Sequence, residues 1–236
     1  MSEQSLLQIE GIHTFIGQFH ILEGVSVNVP RGSIHVLLGR NGAGKTTTLK
    51  SIMGITPPTQ GTIHYNGTSL VGKRPYEIAQ MGIGYVPEHR AIFHELSVRE
   101  NLLIAGRERN DFARKEDFIF ELFPDLKRLI TLSGGNLSGG QQQMLAVARA
   151  LVPDNQLLLI DEPSEGLAPV IIEVLMEAIQ RLSDRVTVLL VEQNFRVARG
   201  LASAFTIIDE GQSVETGAMA SLVNDQALIQ KYLGVA

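Results

Sequence analysis

The chain has 236 residues, 44% of them hydrophobic and 19% charged, with a formal net charge of -5 and no cysteine. This is the balance of an ordinary globular protein of one large domain. The acidic total argues against a nucleic-acid binder working through a basic face, and the missing thiols exclude a disulfide framework or a Cys-ligated metal. Met1 to Glu10 holds no apolar run of signal-peptide length, and no stretch approaches the ~20 apolar residues that span a bilayer. Any membrane role is therefore expected to come through a partner.

Leu6–Thr14 alternates loosely and predicts a first strand; Leu22–Val29 predicts a second, with an aromatic-bearing turn between them at Phe15–Phe19. Pro30-Arg31-Gly32 turns the chain into Ile34–Leu38, a buried apolar strand. Gly39-Arg40-Asn41-Gly42-Ala43-Gly44-Lys45-Thr46-Thr47 follows, then a helical pattern from Thr46 to Met53. Strand, G-x-x-x-x-G-K-T loop and helix make the setting of a phosphate-binding P-loop. Glycines let consecutive backbone N–H groups turn around phosphate oxygens, and the helix N-terminus adds free donors and partial positive charge. Lys45 is expected to reach the β- and γ-phosphates of ATP, and the Thr46 hydroxyl to ligate Mg²⁺.

Gly61–Gly67 reads as a short strand closed by an Asn-Gly turn. Residues 1–30 and 60–70 are expected to form an antiparallel sheet beside a nucleotide-binding core. A short helix at Pro75–Met81 and a strand at Ile83–Val86 come next. Residues of about 95–140 change to a helical insertion. It opens on the capping-box pattern Ser97-x-x-Glu100 and continues through amphipathic Phe112–Ile130, broken at Pro124.

The tetrapeptide LSGG then occurs twice, at 132–135 and 137–140. In Leu137-Ser138-Gly139-Gly140-Gln141, Ser138 is placed to cap a helix over Gln141–Leu151, and the glycines expose backbone donors. That makes a second anion-binding terminus. Since one nucleotide has one γ-phosphate, the second terminus suggests a phosphate held by the other subunit of a head-to-tail dimer. Leu157–Ile160 predicts a buried strand running into Asp161-Glu162, which puts both carboxylates at the sheet's C-terminal edge. Asp161 is expected to hold Mg²⁺ through water, and Glu162 to take a proton from attacking water.

A helix at Pro169–Ser183, a strand at Val186–Val191, a helix at Phe195–Ala202, strands at Ala204–Asp209 and Ser213–Thr216, and one helix from about Met219 to Leu233 complete the chain. Alternating strands and helices predict an α/β fold, a mainly parallel core sheet flanked by helices. The histidines at 13, 20, 35, 64, 89 and 94 are scattered without metal-ligand spacing and read as structural or surface residues, with His89-Arg90 the candidate for contact with a partner.

With P-loop, helical insertion, LSGGQ and acid-ended strand in this order, the chain resembles the nucleotide-binding subunits of ATP-binding cassette (ABC) transporters, from about Leu7 to Gly217. Walker A falls at 39–47, the signature at 137–141 and Walker B at 157–162. Within the superfamily it is most similar to importer ATPases for branched-chain amino acids and related amides. The residues carrying that likeness are GRNGAGKTTTLKSIMG (39–54), GIGYVPEHRAIFHELSVRENL (82–102), DEPSEGLAP (161–169) and LLVEQN (189–194).

The resemblance implies a P-loop NTPase cassette with an antiparallel β subdomain and an α-helical subdomain, binding ATP and Mg²⁺. It implies a second ATPase subunit, identical or a sister chain, two separate transmembrane permease subunits, an extracytoplasmic binding protein acting indirectly, and no nucleic acid. The location implied is cytoplasmic, on the inner face of the cell membrane. The cargo implied is branched-chain amino acids, with urea or short amides second; a soluble, non-transport ABC ATPase is a third reading.

Four positions depart from the general cassette. The Q-loop position is Glu88, a carboxylate within reach of Mg²⁺ and the γ-phosphate. The switch position is Gln193, which can hydrogen-bond phosphate but carries no proton near neutrality. The D-loop position is Ala168. The adenine-stacking position falls on Ile16, with Phe15 or Phe19 as alternative sources of a ring.

Overall fold

A computed structural model describes residues 5–234; the first four residues assigned to the antiparallel part and the last two of the chain lie outside it. β1 (Ser5–Ile16) and β2 (Phe19–Pro30) form a long hairpin. β4 (Gln60–Tyr65) pairs antiparallel with the other edge of β1, and β5 (Thr68–Ser69) closes the sheet in the order β2-β1-β4-β5. The hairpin outruns the strands read from alternation. Pairing continues to Ile16↔Phe19, where Gly17 at φ 60° supplies the left-handed turn. Its tip stands clear of the core with Phe15, Ile16 and Phe19 exposed, so no buried face imposes period 2 there.

The second sheet has six strands in the order β10-β9-β3-β8-β7-β6. They are β3 (Ile34–Leu38), β6 (Ile83–Val86), β7 (Leu157–Asp161), β8 (Thr187–Val191), β9 (Ala204–Asp209) and β10 (Gln212–Ala218). All neighbours are parallel except the β9–β10 hairpin. Every residue of β3, β7 and β8 is buried, as befits strands covered on both faces.

Alternation sends their side chains into two cores. Ile34, Val36, Leu158, Ile160, Val188 and Leu190 pack with the helices of 98–151. Leu37, Leu157, Leu159, Leu189 and Val191 pack with the antiparallel sheet and α1 (Lys45–Ile52). The parallel sheet thus lies between the two other parts of the chain.

The helices on the first face are α3 (Val98–Ile104), α4 (Asp111–Leu122), α5 (Pro124–Arg128) and α6 (Gly139–Leu151), reached after α2 (Pro75–Gln80). The box at Ser97 is present: Ser97 Oγ accepts from Glu100 N at 3.2 Å, and Glu100 accepts from Ser97 N at 2.8 Å. The first LSGG copy forms only a 3-10 turn at Gly134–Asn136. α7 (Pro169–Leu182) and α8 (Phe195–Leu201) also line this face. Among the described residues no helix is long and apolar enough to cross a membrane.

The single C-terminal helix expected from 219 to 233 is two, α9 (Met219–Val223) and α10 (Gln226–Leu233). Asn224 Nδ2 donates to Ala220 O at 2.9 Å, and Asp225 leaves helical geometry to accept from Leu228 N at 2.9 Å. Short polar side chains compete here with the helical ladder, and the second becomes an N-cap.

His35 in β3 is 1% exposed, its Nε2 2.9 Å from Thr206 Oγ1. Burial lowers its pKa from 6.5 to about 4. The unfolded chain therefore takes up this proton more readily, so the stability contributed by neutral His35 is complete above about pH 6.5 and is lost as the pH falls toward 4. At pH 5 the loss is about 2 kcal/mol. Urea unfolding of wild type and His35→Gln at pH 7 and pH 5 checks it: the wild type should lose about 2 kcal/mol more than the variant between the two.

Candidate nucleotide-binding site

The P-loop leaves the end of β3 and passes against β9 and β2. At Gly39 a Cβ would stand 2.1 Å from Ile208 O, so only glycine permits that approach. Gly44, at φ 110°, precedes α1 without a side-chain cap, which leaves the first-turn N–H groups for an anion. Asn41, Gly42, Gly44, Lys45, Thr46 and Thr47 line a cleft of ≈ 400 Å³. Gly39, Arg40 and Ala43 shape the loop from behind. Ala43 N donates to Arg40 O at 3.2 Å, and the Arg40 guanidinium turns away to Lys231 O at 3.2 Å.

Lys45 is 4% exposed and folds back over the loop. Its Nζ donates to Gly39 O at 3.0 Å and Arg40 O at 3.1 Å, and lies 3.2 Å from Glu162 Oε1. Thr46 Oγ1 donates to Asp161 Oδ1 at 3.0 Å, and Tyr85 OH donates to Asp161 Oδ2 at 3.3 Å. Asp161 is fully buried at the end of β7. Burial pushes its pKa up, while these two hydrogen bonds pull it down. Burial and the Asp161 charge together push the Tyr85 hydroxyl above its usual range.

Glu162, the next residue, adopts φ 43°, and its N–H donates to Val191 O at 2.9 Å. A non-glycine residue in this region is uncommon, and the β7–β8 register holds it there. Its side chain faces both the P-loop cleft and a second cavity of ≈ 580 Å³ with Ser164, Glu165, Glu192, Gln193 and Arg199. Glu88 lines the P-loop cleft and also a third cavity with His89, Arg90, Ile92, His94 and Gln142. The structure therefore gathers Lys45, Thr46, Glu88, Asp161 and Glu162 at one place, with Gln193 one wall away.

Three nearby side chains escape the sequence reading. Tyr85 is the first. Glu192 is the second: it is 1% exposed, accepts from Ser164 N at 3.2 Å and Asn194 N at 3.0 Å, and burial raises its pKa. It ties the loop after β7 to the loop after β8 and so fixes Glu162 relative to Gln193. Glu165 is the third, facing all three cavities. Glu192 stands in LLVEQN beside Gln193, but its partner across the site, Ser164, lies 28 residues away in sequence.

Ile16 and Ile21 wall the cleft, whereas the Phe15 ring stacks on His20 with centroids 4.2 Å apart and planes at 4°. Ring and isoleucine are neighbours on a strand, so they point to opposite faces. The signature lies elsewhere: no residue of 137–141 lines the P-loop cleft. Ser138 caps α6, accepting from Gln141 N at 3.3 Å while Gln141 Oε1 accepts from Ser138 N at 3.0 Å. The helix begins at Gly139, two residues before the predicted start, because the cap is Ser138 and the glycines form the first turn. A Cβ at Gly140 would meet Ile171 of α7 at 2.8 Å, so α6 and α7 approach through a bare backbone.

The ABC transporter family profile matches residues 22–165. The chain belongs to this family. It is 40% identical over 232 residues to the high-affinity branched-chain amino acid transport ATP-binding protein BraG of Pseudomonas aeruginosa, covering 97% of this chain and 100% of that one. It is 32% identical to the lipopolysaccharide export system ATP-binding protein LptB of Escherichia coli, with 91% of each chain covered. A solved ATP-binding subunit of an ABC transporter matches with a TM-score of 0.82 at 28% identity, covering 95% of this chain and 94% of that one. A nucleotide-free ATP-binding cassette matches in fold, with a TM-score of 0.85 at 24% identity and coverage of 99% and 100%. The protein is thus an ABC ATPase: it binds and hydrolyses ATP as the nucleotide-binding subunit of a transporter.

Proposed function

We propose that this ABC ATPase powers an importer of branched-chain amino acids, docked on the inner face of the cell membrane against two separate permease subunits. The carrying observation is the end-to-end 40% identity with BraG. The 32% likeness to LptB, a lipopolysaccharide export component, is the observation behind a second reading, and urea or short amides remain alternative cargoes. Two ATPase subunits, identical or sister chains, would close over two ATP molecules. That arrangement accounts for a capped signature helix standing apart from the chain's own P-loop cleft.

In this reading the P-loop backbone and Lys45 hold the β- and γ-phosphates. Thr46 and Asp161 offer hard oxygens 3.0 Å apart. That suits Mg²⁺, which takes one or two protein oxygens and fills its shell with phosphate and water; the ion would supply charge neutralisation on the phosphates. Glu162 is the general base. The γ-phosphate competes with Glu162 for Lys45, so nucleotide binding frees the carboxylate to accept a proton from water. Gln193, held by the Glu192 clamp, senses the γ-phosphate by hydrogen bonding, and Glu88 contributes a further carboxylate. The groove at Glu88, His89, Arg90 and Gln142 is where a permease segment would read the nucleotide state. Leu137, Ser138, Gly139, Gly140 and Gln141 would face the partner's ATP.

Affinity purification of the tagged chain from detergent-solubilised membranes, with uptake of labelled leucine in a deletion strain, tests this. Two polytopic membrane proteins and loss of leucine uptake are expected. Unchanged leucine uptake, with proteins of another assembly recovered, would overturn the cargo.

With Ile16 rather than a ring in the cleft, the base contributes little stacking. Ile16→Tyr should tighten ATP binding by about 0.5–1.5 kcal/mol, read by displacement of a fluorescent nucleotide. Unchanged affinity would place the base elsewhere.

A further inference from the structure

The tip of the β1–β2 hairpin carries ligating side chains that the nucleotide site does not use. His13 and His20 stand on facing strands, and the turn between them brings them together: His13 Nδ1 is 3.1 Å from His20 Nε2, and the ring centroids are 5.2 Å apart. His20 is oriented from two sides. Its Nδ1 faces Glu23 Oε1 at 3.7 Å, and its ring lies flat on Phe15. A carboxylate beside Nδ1 favours the proton there and leaves Nε2 with its lone pair toward His13, the tautomer of a metal ligand.

The backbone of His13 is pinned as well. Its carbonyl accepts from Thr59 N at 2.7 Å and Thr59 Oγ1 at 3.1 Å. Glycine at 24 leaves the far side of its ring uncrowded, since even an added Cβ would stand 3.8 Å from Nε2.

We propose that His13 and His20 form a binding site for a first-row divalent cation of the imidazole-binding class, Cu(II), Ni(II) or Zn(II). Two nitrogens about 2.0–2.1 Å from one zinc ion at the tetrahedral angle stand about 3.3–3.4 Å apart. At a right angle, as in square-planar Cu(II), the separation is about 2.9 Å. The observed 3.1 Å lies between these, so the nitrogen separation already matches one shared ion once each ring turns its lone pair off the N···N line toward it.

The protons balance without loss from neutral imidazoles. Nδ1 of His13 gives up the hydrogen it shares with His20, and His13 Nε2 takes one up. Water fills the remaining positions, because His20 is 33% exposed and Glu23 44% exposed. Mg²⁺ does not compete, since it selects oxygen ligands. The ion would join β1 to β2 three residues before Ile16, beside the nucleotide cleft.

The test uses the full chain in excess Mg²⁺ and ATP, with Cu(II) and Zn(II) alone as probes. Electron paramagnetic resonance of one Cu(II) equivalent should show coupling to two nitrogens. His13→Asn and His20→Asn should each abolish that signal and one competed Zn(II) equivalent, with unchanged melting temperatures. Glu23→Gln should weaken Zn(II) by about tenfold, and His64→Asn and His94→Asn should change nothing. A two-nitrogen signal that survives His20→Asn, or no Zn(II) uptake above that of the double variant His13→Asn/His20→Asn, would overturn the proposal.

Discussion

Glu162→Gln is expected to slow ATP hydrolysis by about 10²–10⁴-fold while leaving ATP binding intact. The geometry of the position suits the proposed base. Glu162 stands one residue past the buried strand β7 at φ 43°, tied by its N–H to Val191, with its carboxylate 3.2 Å from Lys45. Glutamine fills the same volume and can keep the backbone geometry, but it cannot accept a proton near neutral pH. It also releases Lys45 from an ion pair that competes with phosphate, so ATP affinity should hold or rise. Steady-state phosphate release and nucleotide displacement separate the two effects. Near-normal turnover would remove Glu162 from the role of base.

Lys45→Ala is expected to weaken ATP binding by about a hundredfold, the loss of roughly 3 kcal/mol in charge-assisted contacts. Lys45 is 4% exposed, donates to two loop carbonyls and pairs with Glu162. Without it the carboxylates face an incoming triphosphate uncompensated, so repulsion adds to the missing contacts. Equilibrium binding of labelled ATP reads the effect, with a thermal melt to show that the variant folds. Affinity within about threefold of wild type would mean that the backbone donors alone hold the phosphates.

The phosphate loop was legible because its chemistry is encoded in the backbone. A glycine where a Cβ would strike Ile208 O, and a lysine-threonine pair at a helix start, leave little freedom. The caps at Ser97 and Ser138 were equally legible, since each is a three-residue interaction. What stayed hidden depends on register between distant strands. Tyr85 reaches Asp161 only because β6 pairs with β7, and Glu192 holds Ser164 only because β7 pairs with β8. His13 and His20 meet only because the hairpin runs past the strand ends that hydrophobic alternation predicts. The break between α9 and α10 is local, yet two polar side chains decided it against a favourable helical pattern.

Whether Glu162 drives an ATPase that closes over nucleotide as a pair is read by light scattering of the Glu162→Gln chain with and without Mg²⁺ and ATP. A monomer that becomes a dimer on ATP addition and retains unhydrolysed ATP is expected, with Ser138→Arg blocking the dimer but not ATP binding. A Glu162→Gln chain that stays monomeric with ATP bound, or that hydrolyses it at the wild-type rate, would overturn this paired, Glu162-dependent mechanism.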